Sequence, residues 1–364
     1  MRPPGLAAAA LLLAAGVSGQ AQASTLFMGA YPNSLIVFDE AKAAVVQRIP
    51  LATGLPTNLR LSNDKKTIYV TTNTRSGIEV IDVATRKVTN SFSLNTPTTR
   101  YRFNGGVPDP TGRYFYTIVT QLDKGIDRYA PAKTMYAVID LQQHKIVRTA
   151  ELAKEDEAGG GRGNFVLSDD GKLLYLFRNK VLILNAEDFK VVDRLDMAKP
   201  EGTNGLEEIS FGGGALDSIR EPGRHLSLFT AEDPYVHNRV FGVGRFDLAN
   251  RQMSFTPVGP APAATGGFQV TPDGKEAYSV VVNGSLGNKR CEFWRFDVAT
   301  STVKGKAEFS CKTRFTFGLS GNGQKLYVYG ASYQIEVFDA KTFKFEKMWD
   351  LNNDITGAGM VIPD

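Results

Sequence analysis

Apolar and polar positions along the chain follow two alternating signatures. The first is an apolar run, a short polar turn and a second apolar run that carries an aromatic. It occurs as LRLSNDKKTIYVTT (59–72), VPDPTGRYFYTIVT (107–120), FVLSDDGKLLYLF (165–177), FQVTPDGKEAYSVVV (268–282) and FGLSGNGQKLYVYG (317–330), with a degenerate copy over 220–231. The second is an alternating run that usually closes on Asp, then a turn, then another alternating run. It occurs as LIVFDEAKAAVVQRIPL (35–51), IEVIDVATRKVTNSFSL (78–94), YAVIDLQQHKIVRTAEL (136–152), VLILNAEDFKVVDRLDM (181–197), GRFDLANRQMSFTPV (244–258), WRFDVATSTVKGKAEF (294–309) and IEVFDAKTFKFEKMW (335–349).

Runs with period two, rich in β-branched and aromatic residues and bounded by Gly, Asp, Asn and Pro, are strands. Each pair of signatures therefore supplies four strands, A to D. Asp170-Gly171, Asp273-Gly274 and Asn322-Gly323 mark tight A–B hairpin turns. Seven copies over the chain after residue 23 give about 49 residues per unit, the length of a propeller blade. The chain enters at TLFMGAY (25–31), a B strand without its A strand, and stops at AGMVIPD (358–364), an A strand without its B strand. Pairing the two completes one blade and removes the free edge. The expected fold is all-β, a seven-bladed β-propeller closed by its N- and C-terminal strands, forming one domain over 24–364.

With 42% hydrophobic and 22% charged residues the chain is not generally disordered. Lys+Arg 42 against Asp+Glu 38 gives +4 without a long basic run, which argues against nucleic-acid binding. Residues 1–23 read as a secretory signal peptide: Arg2 is the positive start, 6–17 is the apolar stretch, and Ala21-Gln22-Ala23 fits the cleavage rule. The stretch is too short for a membrane anchor, and no Cys stands near the cleavage point of a lipoprotein type. The mature chain is expected to start at Ser24 in the periplasm or outside the cell.

Strand direction alternates across a blade, so A–B and C–D turns share one face while B–C and D–A loops share the other. The C–D turns are short. The long connections at 121–133, 153–163, 198–206, 232–239 and 259–266 fall on the second face, where binding residues usually sit on a rigid scaffold, and the long A–B connection at 212–224 is an exception on the first. Asp123, Asp127, Arg128, Arg162, Asp233, Tyr235, His237 and Arg239 lie there and form the candidate docking face; solvated loop charges are the plain alternative. Three scattered histidines and two cysteines offer no metal-ligand spacing. There is no Gly-x-Ser-x-Gly elbow, and GGGRG (159–163) lacks the Lys of a phosphate loop. Thus no catalytic, cofactor-binding or metal residue is assigned.

Cys291 opens a C strand and Cys311 follows the D strand of the same hairpin. Counting back from a turn near Asp297 places Cys291 opposite Ser310 or Cys311, within reach of a disulfide in an oxidising compartment. A one-residue slip would instead leave two thiols on opposite faces.

The strand–PDG-turn–strand units, the IDVAT hairpin at 81–85 and YVTTN at 69–73 resemble the YVTN-type bacterial β-propellers. Two stretches, AYPNSLIVFD (30–39) and KLYVYGASYQIEVFDAKTFKFEKMWDL (325–351), are more similar to the β-subunit of quinohemoprotein amine dehydrogenase. That resemblance implies a periplasmic subunit without a cofactor of its own, partnered by a dihaem cytochrome subunit and a small subunit bearing a tryptophylquinone. The missing Cys-x-x-Cys-His haem motif agrees with this division. Two function classes stand side by side: a non-catalytic scaffold subunit of such a complex, and a stand-alone secreted propeller that binds a protein, glycan or small ligand. A self-sufficient propeller enzyme is a third.

Overall fold

The computed structural model describes residues 23–156, 164–177, 180–200, 203, 205–211, 223–233, 235, 238–312, 315–330 and 332–363. The expected leader therefore lies outside the described residues, apart from Ala23.

The strands form seven antiparallel sheets. Blade 1 contains β1 (Thr25–Ala30), β2 (Ser34–Asp39) and β3 (Ala44–Pro50). Blade 2 contains β4 (Pro56–Leu61), β5 (Thr67–Thr72), β6 (Gly77–Asp82) and β7 (Lys87–Ser93). Blade 3 contains β8 (Thr99–Phe103), β9 (Val107–Pro108), β10 (Tyr114–Lys124), β11 (Tyr129–Asp140) and β12 (Lys145–Glu151). Blade 4 contains β13 (Asn164–Leu167), β14 (Leu173–Phe177), β15 (Lys180–Asn185) and β16 (Val191–Asp196). Blade 5 contains β17 (Glu207–Phe211), β18 (Arg224–Glu232), β19 (Arg239–Asp247) and β20 (Gln252–Pro260). Blade 6 contains β21 (Ala264–Thr265), β22 (Gln269–Val270), β23 (Glu276–Asn283), β24 (Arg290–Asp297) and β25 (Val303–Phe309). Blade 7 contains β26 (Phe315–Leu319), β27 (Lys325–Gly330), β28 (Gln334–Asp339) and β29 (Phe345–Asp350). The last strand, β30 (Ile355–Val361), returns to blade 1 and pairs with β1 through Phe27–Val361 and Met28–Met360. The ring is closed as the sequence predicts.

The core explains why the B and C strands read as nearly continuous apolar runs. In blade 4, Leu174, Leu176, Leu182 and Leu184 pack toward blade 3, while Tyr175, Phe177, Val181 and Ile183 pack toward blade 5. Both faces of these strands are buried, so both sets of alternating positions must be apolar. The outer D strands contact solvent on one side and alternate, as in β7 and β12. Seven such interblade clusters run round the ring, and the one joining blade 7 to blade 1 sets Leu26, Ile36 and Phe38 against Tyr327, Val337 and Trp349. The aromatic of the second apolar run is a core residue: Tyr69, Tyr116, Tyr175, Tyr278 and Tyr327 are all buried. Burial pushes the Tyr69 phenol up to about 12 and raises Tyr278 and Tyr327 as well.

The Asp that closes each C strand has a local task. Asp39, Asp82, Asp140, Asp247, Asp297 and Asp339, with Asn185 in blade 4, accept backbone N–H groups two or three residues on and so cap the C–D turn. A Thr hydroxyl or backbone N–H three residues on holds each of these carboxyls below the usual range. The turn then passes through one left-handed residue in every blade: Ala43, Arg86, His144, Phe189, Arg251, Ser301 and Phe343. A bulge follows at the same place in six of the seven C–D ladders; in blade 5 it sits at Phe241/Gly242, at the far end of the ladder from the turn. An extra residue there increases the twist and bends the outer strand back over the blade.

Cys291 and Cys311 are bridged, with Cα atoms 5.3 Å apart. The register differs from the expected one. Cys291 pairs with Phe309, because the turn is tighter than expected: the Asp297 N–H donates to the Thr302 carbonyl, and the Arg295/Phe296 bulge recovers only one residue of that difference. Cys311 lies two residues beyond, on the same side as Phe309, and its sulfur reaches Cys291 diagonally.

Candidate functional site

The B–C connections place their tips on one face of the ring. The segment at 121–133 is not a loop, as its polar composition suggested, but the end of a long hairpin. The β10–β11 ladder runs from Tyr114–Asp140 to Lys124–Tyr129, with a bulge at Gln121/Leu122. Its neighbours stop earlier: β12 pairs only with residues from Met135 onward, and β8 reaches Asp123. The β11 segment from Tyr129 to Thr134 therefore has no outer strand beside it, and Pro131 and Lys133 stand on that edge as residues that discourage further strand pairing. Period-two reading misses the hairpin because half of its residues face water on both sides.

The candidate residues divide between two hairpin tips. At the blade 3 tip, Gln121 donates to Asp123 Oδ1 at 3.0 Å, and Arg128 Nε stands 3.8 Å from Asp127 in a fully exposed pair. The Gly125 N–H donates to the Arg128 carbonyl at 2.7 Å and closes the four-residue turn. At the blade 5 tip, Asp233 Oδ1 accepts the Tyr235 N–H at 2.8 Å, and Arg239 donates to Thr230 Oγ1 at 3.3 Å. Glu232 and Arg239 are the last paired positions of β18 and β19. No hydrogen bond or ion pair joins the two tips among the described residues, so these groups do not converge on one pocket. Arg162 and His237 lie outside the described residues.

Sequence reasoning sought charges on this face and passed over its apolar groups. Tyr31, Ile126, Tyr129, Tyr235, Leu286 and Tyr333 are exposed; Tyr129 opens β11 at the tip of the blade 3 hairpin, and the others sit in the B–C connections of blades 1, 3, 5, 6 and 7. Ile126 and Tyr235 are the most open of these, at 108% and 87% exposed. Arg100 stacks its guanidinium 4.6 Å from the Tyr129 ring centre and holds that ring upright. The other exposed large apolar residues lie on outer strands or C–D segments, such as Val147, Val192, Phe345 and Met348. Single exposed apolar side chains thus stand among charges on this face.

The D–A connection between blades 3 and 4 supplies one buried charge to this face. Asp156, 6% exposed, pairs with Lys180 at 2.8 Å and with Arg194 at 3.2 Å. Burial opposes its ionisation, but hydrogen bonds from Lys180 and Arg194 outweigh that and hold the carboxyl below the usual range. The pair ties β15 and β16 to the loop and keeps that sector rigid.

Among the described residues no group of three or more His, Cys, Asp or Glu side chains gathers to hold a metal. Among them, too, no helix is long and apolar enough to cross a membrane.

No protein-family model matches the chain, and no curated protein is similar to it in sequence. Solved structures are similar in fold. A functionally unknown protein from Desulfotomaculum acetoxidans DSM 771 superposes with a TM-score of 0.57 at 12% identity, covering 93% of this chain and 98% of that one. Apo AztD from Citrobacter koseri gives 0.53 at 16% identity over 93% and 98% of the two chains. Dihydro-heme d1 dehydrogenase NirN, in complex with DHE, gives 0.51 at 12% identity over 93% of this chain and 75% of that one. At these identities the likeness speaks for the propeller fold.

Proposed function

We propose that this chain is a non-catalytic scaffold subunit that docks its partners on the B–C face. The observation that supports this best is the ring of exposed anchors, Tyr31, Ile126, Tyr129, Tyr235, Leu286 and Tyr333, on a rigid closed propeller. Tyr anchors bury large area at low entropic cost, and the polar groups between them suit a rim that stays wet. The motif resemblance at 30–39 and 325–351 names the complex: a periplasmic assembly like quinohemoprotein amine dehydrogenase, in which a dihaem cytochrome and a small quinone-bearing chain supply the chemistry.

The test is isolation of the chain from its native extract. A cytochrome and a small subunit are expected to co-elute with it, and Ile126→Asp combined with Tyr235→Asp is expected to release them while the propeller still melts cooperatively. The isolated chain is expected to show no visible absorbance and no amine oxidation with an artificial acceptor. Amine oxidation by the chain alone, or elution of the native protein as a lone monomer, would refute the scaffold reading.

A further inference from the structure

A cavity of about 380 Å³ opens at the centre of the opposite face, where the A–B turns meet. All seven blades reach it, through positions such as Leu61, Val107, Val166, Gln269, Leu319 and Val361. That volume suits a small organic molecule. Its walls are fixed before anything binds. Gln269 donates to the Phe317 carbonyl at 3.1 Å and accepts the Leu319 N–H at 2.8 Å, locking blade 6 to blade 7. At Gly112, in the left-handed region at φ +70°, a Cβ would stand 2.7 Å from the Tyr69 hydroxyl, so the glycine lets the 109–112 turn close over that ring.

Charge is laid out unevenly round the mouth. Blade 2 contributes the cations Arg60 and Lys65. Blades 3 and 4 contribute the carboxylates Asp109 and Asp169. Asp109 is committed to its own turn, accepting the Tyr114 N–H at 2.7 Å and the Thr111 hydroxyl. Asp64, also on blade 2, is likewise spent on Ser62 Oγ at 2.6 Å and the Lys66 N–H at 3.1 Å. Lys65 and Asp169 have no ion pair among the described residues, and a Cβ placed on Gly223 would stand 3.8 Å from Asp169 Oδ2, in ordinary contact. Part of the remaining wall is aliphatic, from Leu59, Val166, Leu319, Met360 and Ile362.

An anion alone would meet the carboxylates, and a cation alone would meet Arg60 and Lys65. Only a ligand with both charges and an apolar body matches every part of the wall. We propose that this cavity binds a small zwitterion with an apolar side chain, an amino acid or dipeptide. Its carboxylate is taken by Lys65 on blade 2, its ammonium by Asp169 on blade 4, and its side chain by the aliphatic part of the wall. The site lies on the face away from the docking anchors, so it stands whether or not the scaffold reading does.

The test is calorimetric titration of the full mature chain with L-leucine, leucyl-leucine, L-leucinamide (cation only) and 4-methylpentanoate (anion only). Leucine or leucyl-leucine is expected to bind saturably, and each half-charged probe at least about ten-fold more weakly. Asp169→Asn is expected to weaken leucine but not 4-methylpentanoate, and Lys65→Gln to weaken leucine but not leucinamide. Both positions are exposed, so the folded propeller is retained, which its thermal midpoint verifies. Three results would each overturn the proposal: no saturable binding of leucine or leucyl-leucine below about 10 mM, a half-charged probe binding as tightly as leucine, or both variants binding leucine as the parent does.

Discussion

Replacing both cysteines, Cys291→Ala with Cys311→Ala, removes the bond that ties β24 to the chain leaving blade 6 for blade 7. The bridge closes a separation of 20 residues. Loop-closure entropy for that length is about −11 cal/mol/K, so its loss relaxes the unfolded chain by about 3 kcal/mol at 25 °C. The folded state gives up little else, since the sulfurs share their cluster with Phe293, Phe309 and Phe315, which keep packing against one another. Spread over the unfolding entropy of about 340 residues, roughly 0.7 kcal/mol/K, this lowers the thermal midpoint by about 4–5 °C. Scanning calorimetry on the parent and the double variant measures it. Thiol titration of the unfolded, unreduced parent is expected to find no free thiol. A midpoint shift within about 1 °C, or two reactive thiols in the parent, would show that the reasoning fails.

Three further outcomes follow from buried groups. His225 is packed against Phe177 and Phe211, its Nε2 has no hydrogen-bond partner among the described residues, and burial pushes its pKa down to about 3. The unfolded chain takes up that proton first, so this contribution is intact above pH 6.5 and falls away below it. The loss reaches about 2 kcal/mol at pH 5; His225→Leu should flatten the chemical-denaturation stability between pH 5 and 7, and an unchanged slope would falsify the assignment. A Cβ on Gly242 would stand 2.0 Å from the Thr256 carbonyl oxygen, at the C–D bulge of blade 5. Gly242→Ala therefore moves backbone and costs roughly 2–3 kcal/mol, read as a lower denaturant midpoint at constant slope. Asp156→Ala strands Lys180 and Arg194 beside a buried site and costs about 3 kcal/mol; the loss is expected to vanish below the acid range in which the parent carboxyl protonates, and a variant as stable as the parent at pH 7 would contradict it.

The fold was legible in the residues because each level of it leaves a local mark. Strands such as LLYLF and VLILN must be apolar on both faces, since blades stack on both sides. Every C–D turn needs a short acceptor such as Asp39, Asp82 or Asn185, and the repeated acceptor sets the blade count. The incomplete units at 25–31 and 358–364 complement each other, and that foretold the pairing of β1 with β30. The cysteine bridge was legible too, but not its register, because the residues do not spell out how tightly the chain turns between Asp297 and Thr302 or where the bulge beside it falls.

What only the tertiary structure decided is which residues share a surface. Asp123 and Asp127 lie at one hairpin tip and Asp233 and Tyr235 at another, with blade 4 between them in the ring order, although a list of loop charges shows one group. Ile126 and Tyr333 read in sequence like any apolar residue, and only the fold shows that they are exposed. Arg60 and Asp169 are more than a hundred positions apart and meet one cavity because every blade turns the same strand end to the axis. Local sequence sets the strand, the turn and the period, since these depend on neighbours in the chain. Surfaces and cavities depend on closing the ring, which places residues by angle round an axis and not by distance along the chain.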